Sequence, residues 1–138
     1  MFLNGSFGKT LDIMHRTMDV SLLRRGVVAD NIANADTPNF KRSVINFESE
    51  LKSALESENN HHMRGSVTHP RHIEFDHSKN YRDVGPRRVL DYLSTSDNNG
   101  NNVDLETEAM TLLQNQLEYE LMTRFVANQF TQLNIVLR

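Results

Sequence analysis

Residues 29–42 read Ala29-Asp30-Asn31-Ile32-Ala33-Asn34-Ala35-Asp36-Thr37-Pro38-Asn39-Phe40-Lys41-Arg42. The stretch closes an amphipathic segment on Asn, Asp and Pro, then delivers an aromatic residue and two bases. Asn and Asp compete with the backbone for hydrogen bonds and accept turn geometries. Pro38 lacks a donor and forces Thr37 into an extended conformation. A helix therefore ends near Asn34 and the chain leaves in a fixed direction. Upstream, Leu11, Met14, Met18, Arg25, Val28 and Ile32 recur at spacings of three and four. Ile13, Val20, Leu23 and Val27 form a second, neighbouring stripe. A helix over 10–34 follows. Gly26 inside it is either a tolerated weak spot or a place where another helix comes close.

Downstream of Pro38, Asn46 can cap a short helix ending near Glu58, with Phe47, Leu51 and Leu55 on one side. Periodicity then disappears over 59–102. Two X-Pro steps (Pro70, Pro86) and the run Asp97-Asn98-Asn99-Gly100-Asn101-Asn102 mark a loop-rich arm. Short extended pieces are expected at 66–68, 72–75 and 89–93, with room for a hairpin. The last element is the clearest. Asp104 serves as N-cap, and Glu106 and Glu108 favour the first turn of a helix. One heptad track runs Leu105, Ala109, Leu112, Gln116, Tyr119, Thr123, Val126, Phe130, Leu133 and Leu137. A flanking track adds Met110, Leu113, Leu117, Leu121 and Ile135.

The expected fold is mainly α: two long terminal helices packed as an antiparallel, coiled-coil-like pair, a short third helix after the Pro turn, and a loop-rich middle arm. It is expected to form one domain over 1–138, divided into 10–34, 35–58, 59–102 and 103–138. Two apolar tracks on each terminal helix exceed what one antiparallel partner covers, because such a pair hides mainly one seam. The surplus is met either by the 47–58 helix within one chain or by other copies in a polymer. Periodicity alone leaves both open.

Composition narrows the function. Fifteen Lys and Arg stand against 18 Asp and Glu, for a net charge of −3, and no cysteine is present. Nucleic-acid binding concentrates a basic face, which this balance does not favour. Disulfides and thiolate metal sites are ruled out. No apolar run reaches the ~20 residues needed to span a bilayer. The start, Met1-Phe2-Leu3-Asn4-Gly5-Ser6-Phe7-Gly8, has neither a basic nor an apolar signal region, which by itself predicts a cytoplasmic protein.

Within the opening stretch, Ala29, Asn31, Ile32, Ala33, Asn34, Thr37, Pro38, Phe40 and Lys41 match in register a pattern of the rod and hook proteins of the bacterial flagellum. That pattern reads Ala-x-Asn-Ile-Ala-Asn-x-x-Thr-Pro-Gly-Tyr/Phe followed by a base. The departure is Asn39 in place of Gly, a mild exchange because Asn tolerates positive φ. Gly100-Asn101-Asn102-Val103-Asp104-Leu105-Glu106-Thr107-Glu108 resembles the lead-in Gly-Asn-x-Val-Asp-x-Glu-x-Glu-Met of the smallest rod proteins. Ala109 and Met110 are displaced by one around the expected Met. Leu117-Glu118-Tyr119 is similar to a leucine and tyrosine that recur mid-helix. The resemblance covers 10–58 and 98–138 and favours one of two sister proximal-rod subunits.

What the resemblance implies is structural. The terminal helices form an inner layer around a channel, in a shaft that carries torque. Leu105, Leu112, Leu117, Tyr119, Val126, Phe130 and Leu133 become assembly residues of the last helix. Implied partners are further copies of the chain, other proximal-rod proteins, the adaptor joining rod to membrane ring, and the flagellar export gate. The implied location is the periplasmic rod of the basal body, reached by export without cleavage of a signal peptide. No cofactor, metal, nucleic acid or membrane insertion is expected, and no catalysis.

Other readings follow different residues. His61, His62, His69, His72 and His77, with Glu74 and Asp76, offer metal donors, but no spacing matches a helical two-His-plus-carboxylate site. His15 beside Arg16 reads as a surface or interface residue. No phosphate loop or nucleophile elbow occurs. Arg64, Arg71, Lys79, Arg82, Arg87 and Arg88 make the arm basic, suited to acidic faces of neighbouring subunits. A generic helical adaptor is the remaining alternative. In the signature itself, Asn31 and Asn34 are expected to satisfy backbone groups at the helix end, and Phe40 to dock on the helical layer.

Overall fold

The computed structural model describes residues 5–59, 68, 69, 71, 72, 79–94, 96 and 98–137. Among these it contains helices α1 (Ser6–Ala33), α2 (Glu48–Asn59) and α3 (Leu105–Val136), strands β1 (Ser43–Asn46) and β2 (Arg87–Leu90), and a 3-10 turn at Tyr81–Asp83. The mainly α expectation holds. The chain divides into two compact units, one made of Met1–Ile45 with Arg88–Arg138 and the other of Asn46–Arg87.

In the first unit α1 begins four residues before the expected Thr10. Gly5 is extended at its N-cap with no capping side chain, so the start carries no sequence signal. The end lies where Pro38 and the Asn residues put it, with Asn34 at the C-cap and its N–H bonded to the carbonyls of Asp30 and Asn31. Gly26 is exposed, and a Cβ built there would meet nothing within 4 Å. The weak-spot reading of Gly26 therefore replaces close approach of a helix within this chain.

α3 matches expectation closely, with Asp104 Oδ1 accepting from the Glu106 N–H at 3.0 Å as N-cap. Its 32 residues make a rod of about 48 Å. α1 and α3 pack together and run antiparallel, since Asn31 reaches Glu108 while Ser21 reaches Asn115. Besides Thr111 and Glu118, the sheltered positions of α3 are Glu108, Leu112, Asn115, Tyr119, Met122, Val126, Gln129 and Leu133. Leu112, Tyr119, Val126 and Leu133 lie on the expected heptad track; Glu108, Asn115, Met122 and Gln129 fall one residue earlier than Ala109, Gln116, Thr123 and Phe130. Apolarity misplaced the seam because Glu108 and Asn115 are fully buried on it.

β1 was not foreseen, because a turn leading straight to a helix was expected after Pro38. It pairs with β2, which starts two residues before the extended piece expected at 89–93 and overlaps it at Val89 and Leu90. The ladder continues through Asp91 N–H to the Arg42 carbonyl at 2.9 Å, which sets antiparallel register with Ser43 opposite Leu90.

The second unit is built on α2, whose Leu51 and Ala54 are buried together with Phe47 and Tyr81. Asn46 stands two residues before α2, and its Oδ1 accepts from the Ser49 hydroxyl at 2.7 Å. The segment after Lys79 folds back on the helix. Lys79 N–H donates to Ser57 Oγ at 3.0 Å, and Arg87 pairs with Glu50 at 3.3 Å. The extended pieces proposed at 66–67 and 73–75 lie outside the described residues.

A polar knot joins the signature to the head of the last helix

Asn31 is fully buried on the last turn of α1, and its amide serves two backbone groups and one charge. Nδ2 donates to the Ser43 carbonyl at 2.9 Å and to Glu108 Oε2 at 3.2 Å, while Oδ1 accepts from the Ser43 N–H at 3.0 Å. Asn31 thus satisfies the strand that follows the turn, not the helix end as expected. Asn34 does serve the helix end, with Nδ2 donating to the Asp30 carbonyl at 2.8 Å.

Glu108 is only 1% exposed. A buried carboxylate is tolerable only when paired and hydrogen-bonded. Arg42 supplies the pairing at 2.7 Å and also stands 3.9 Å from Asp91. Glu108 therefore does more than complement the helix dipole, the role its position in the first turn implied.

Asn101 and Asn102 complete the knot from the other end of the chain. Asn101 Nδ2 donates to the carbonyls of Asn34, Ala35 and Thr37 at 3.0, 2.6 and 2.9 Å, and its Oδ1 accepts from the Val103 N–H at 2.7 Å. The carbonyls of the C-cap and of the turn that follows α1 are thereby bound by a residue more than sixty positions away. Asn102 Oδ1 accepts from the Arg42 N–H, and its Nδ2 donates to the Asp91 carbonyl, each at 2.7 Å.

Two backbone conformations make the fit. Asn39 has φ 59° and Gly100 has φ +80°. The Asn39 N–H donates to the Asn99 carbonyl at 3.2 Å, and Lys41 Nζ donates to the Gly100 carbonyl at 2.7 Å. A Cβ on Gly100 would come within 2.7 Å of Asn39 Oδ1. Asn39, the departure from the resembled pattern, thus adopts the left-handed geometry that Gly normally fills.

Two carboxylates around the knot are held below their ordinary range. The Ser94 hydroxyl and then the Leu93 N–H lower Asp91; the Thr107 hydroxyl and then the Glu106 N–H lower Asp104. Asp91 and its bonds to Leu93 and Ser94 shape a tight turn.

Of the other signature residues, Ala29, Ala33, Thr37 and Pro38 are exposed, and Ile32, Phe40 and Lys41 half-buried. On α3, Leu105, Leu117 and Phe130 are exposed, whereas Leu112, Tyr119, Val126 and Leu133 are half-buried along the seam. Sequence reasoning quoted both motifs but missed that they meet, and it missed Arg42, Ser43, Asp91 and Glu108 as members of the knot. The available signal was a glutamate and an asparagine at seam spacing in an otherwise apolar track.

Among the described residues no group of three or more His, Asp or Glu is placed to hold a metal ion. His61, His62, Glu74, Asp76, His77 and Arg64 lie outside the described residues. Arg88 pairs with Asp30 at 3.6 Å, so that base, like Arg87, is engaged within the chain. No described helix is long and apolar enough to cross a membrane.

Comparison with known proteins converges on the same residues. A family model described as "Flagella basal body rod protein" matches residues 25–41, which include the α1 end, the turn and Lys41 of the knot. The chain is 48% identical to the flagellar basal body rod protein FlgB of Borreliella burgdorferi, covering 96% of this chain and 98% of the relative. It is 44% identical to FlgB of Borrelia hermsii with the same coverage, and 30% identical to FlgB of Bacillus subtilis over 95% of each chain. Identity at this level and over this length leaves neither the sister subunit nor a generic adaptor in contention: the chain belongs to the FlgB family of flagellar basal body rod proteins.

Proposed function

We propose that the chain is a structural subunit of the proximal rod that polymerises through its terminal helices. The shaft so formed transmits torque, and its axial channel passes exported subunits. In this reading α1 and α3 act as a coiled-coil-like pair, and the chain carries no catalytic site and needs no cofactor. Its neighbours are further copies, the other proximal-rod proteins, the adaptor to the membrane ring and the export gate. It works in the periplasmic part of the basal body and arrives without signal-peptide cleavage.

One observation carries this proposal. α3 keeps Leu105, Met110, Leu113, Leu117, Leu121, Phe125, Phe130 and Ile135 exposed along one 32-residue helix. At ~25 cal/mol per Å² of apolar surface, covering even half of that stripe favours association by several kcal/mol. Fully buried residues on α3 stop at Asn115, so the C-terminal half is held loosely and is free to repack against neighbours. The polar knot supports the reading from the other side, because it ties α1, the turn and α3 into one unit to which load can be applied.

The test is replacement of the chromosomal copy by a Leu117→Glu variant in the native bacterium, followed by isolation of basal bodies. The expected result is a soluble, helical protein that fails to enter the rod, with loss of swimming. Normal rods and normal swimming would contradict assembly through α3.

A further inference from the structure

The chain passes between its two compact units at Ile45–Asn46 and again at Arg87–Arg88. Both crossings fall inside the β1–β2 ladder, so one two-stranded ribbon carries the covalent connection in each direction. A ribbon of two strands is marginal in water unless its faces are packed. Here β2 is exposed at all four positions.

The two ends of the ribbon are held differently. At the first-unit end Asn31 binds both the N–H and the carbonyl of Ser43, and Asn102 clamps the Arg42 N–H and the Asp91 carbonyl. At the other end Asn46 and Arg87 are exposed, and Asn46 turns its side chain to Ser49 of α2. Adjacent arginines mark the boundary, because successive side chains on a strand point to opposite faces. Arg88 pairs with Asp30 of α1 at 3.6 Å, whereas Arg87 pairs with Glu50 of α2 at 3.3 Å. Consecutive residues of one strand thus answer to different units. Exposed pairs of this kind contribute little energy, so they mark the division and do not enforce it.

Each unit also closes on its own residues. The first buries Leu11, Val20, Val27, Val28 and Val103 beside the knot, and the knot's bonds run among residues 31–43 and 91–108. The second buries Phe47, Leu51, Ala54 and Tyr81, with Ser57 holding Lys79. We infer that this second unit opens and recloses as a cooperative unit of its own, the ribbon fraying from Asn46 and Arg87 while the knot stays tied. Openings of this sort follow motifs with few buried groups and exposed backbone bonds. The property belongs to the single chain and does not depend on assembly into a rod. Its consequence is that α2 can rearrange without loosening α1 from α3.

The test is hydrogen–deuterium exchange of the full-length chain, resolved by peptide mass spectrometry, for the unaltered protein and for Phe47→Ala, Leu51→Ala and Asn31→Ala. In the unaltered protein, amides 49–58 and 82–87 should exchange as one group, about tenfold or more faster than amides 20–31. Phe47→Ala removes a fully buried ring and should speed that group by about a hundredfold while leaving 20–31 unchanged. Leu51→Ala is the milder variant, and it should act on the same group in the same direction. Should Phe47→Ala leave the second unit open altogether, its amides exchange at once and 20–31 still hold, which supports independent opening equally. Asn31→Ala should do the reverse, speeding 20–31 and 105–115 and leaving 49–58 as they were. A single common rate for both groups in the unaltered protein would overturn the inference. So would any of these variants that speeds both groups by the same factor.

Discussion

Replacing Asn31 by Ala removes three hydrogen bonds from a site with no solvent access. The Ser43 N–H and carbonyl each lose their side-chain partner while remaining buried, and Glu108 loses one donor but keeps Arg42 at 2.7 Å. A buried polar group left without its partner costs about 1–3 kcal/mol. Taking the low end for the two backbone groups and about 1 kcal/mol for the weakened charge gives a loss of roughly 3–4 kcal/mol. For a chain of this size that corresponds to a fall in midpoint temperature of roughly 10–15 °C. The assay is thermal unfolding followed by circular dichroism, with a urea titration as a second route to the free energy. Asn31→Asp is the companion variant. It keeps the acceptor for the Ser43 N–H but loses the donor and places a second carboxylate beside Glu108, so it should be at least as harmful as Ala. A double-mutant cycle with Glu108→Gln should return a coupling of about 1 kcal/mol or more, as expected for residues sharing one network. If Ala and Asp both fall within about 1 kcal/mol of the unaltered protein, the knot does not hold the fold and the reasoning is refuted.

Three further outcomes follow from the same geometry. Gly100→Ala forces an L side chain to φ +80° and crowds Asn39, which should destabilise by about 1–2 kcal/mol in chemical denaturation; no change would show that the lead-in relaxes freely. Gly26→Ala fills open space on an exposed helix face and should stabilise the isolated chain by about 0.5–1 kcal/mol, and a loss would mean that the face is not open. Asp91 and Asp104 bind protons more weakly folded than unfolded, so their contributions are present above the ordinary value of 3.8 and fade as pH falls through their lowered folded values. Asp104→Asn keeps an N-cap oxygen but removes the charge, so it should lower the unfolding midpoint at neutral pH, converge with the unaltered protein at acid pH and thereby flatten the acid limb, read from unfolding midpoints across pH.

The helices were legible because their signals are local. Pro38 and Asn34 end α1 by backbone sterics, and Asp104 starts α3 through a bond two residues away. The family could be read from the same letters, since Ala29 to Lys41 form a contiguous string. The knot could not be read, because Asn31, Arg42, Asp91, Asn101 and Glu108 find each other only once the chain has folded. Periodicity misplaced the α3 seam for a related reason. A hydrophobic stripe predicts the buried face only when that face is apolar, and Glu108 and Asn115 violate the rule because Arg42, Asn31 and the Ser21 carbonyl wait opposite them. β1 escaped notice because its four residues Ser43–Asn46 are too short to show alternation and owe their conformation to Asn31 and β2. Asn39 shows the limit of pattern matching from the other direction: it departs from the resembled glycine yet takes the glycine conformation.

Buried polar groups at the closed end and exposed apolar groups along α3 form one division of labour. Hydrogen-bonded partners fix a single geometry where the chain must hold itself together, because alternative registers would leave Glu108 or Asn31 unpaired in the interior. Apolar contact is less particular and suits surfaces exchanged between subunits.

On the proposed reading, this chain is closed at the knot by its own residues and completed along α3 by other copies. A density map of an intact basal body, at a resolution that places side chains in the proximal rod, tests it most directly. The expected map shows Asn31 in contact with Glu108 and Ser43 within each subunit, and Met110, Leu113, Leu117 and Leu121 covered by a neighbouring copy. A map in which that stripe faces open solvent, or in which Glu108 has left Asn31 and Arg42 for another subunit, would contradict it.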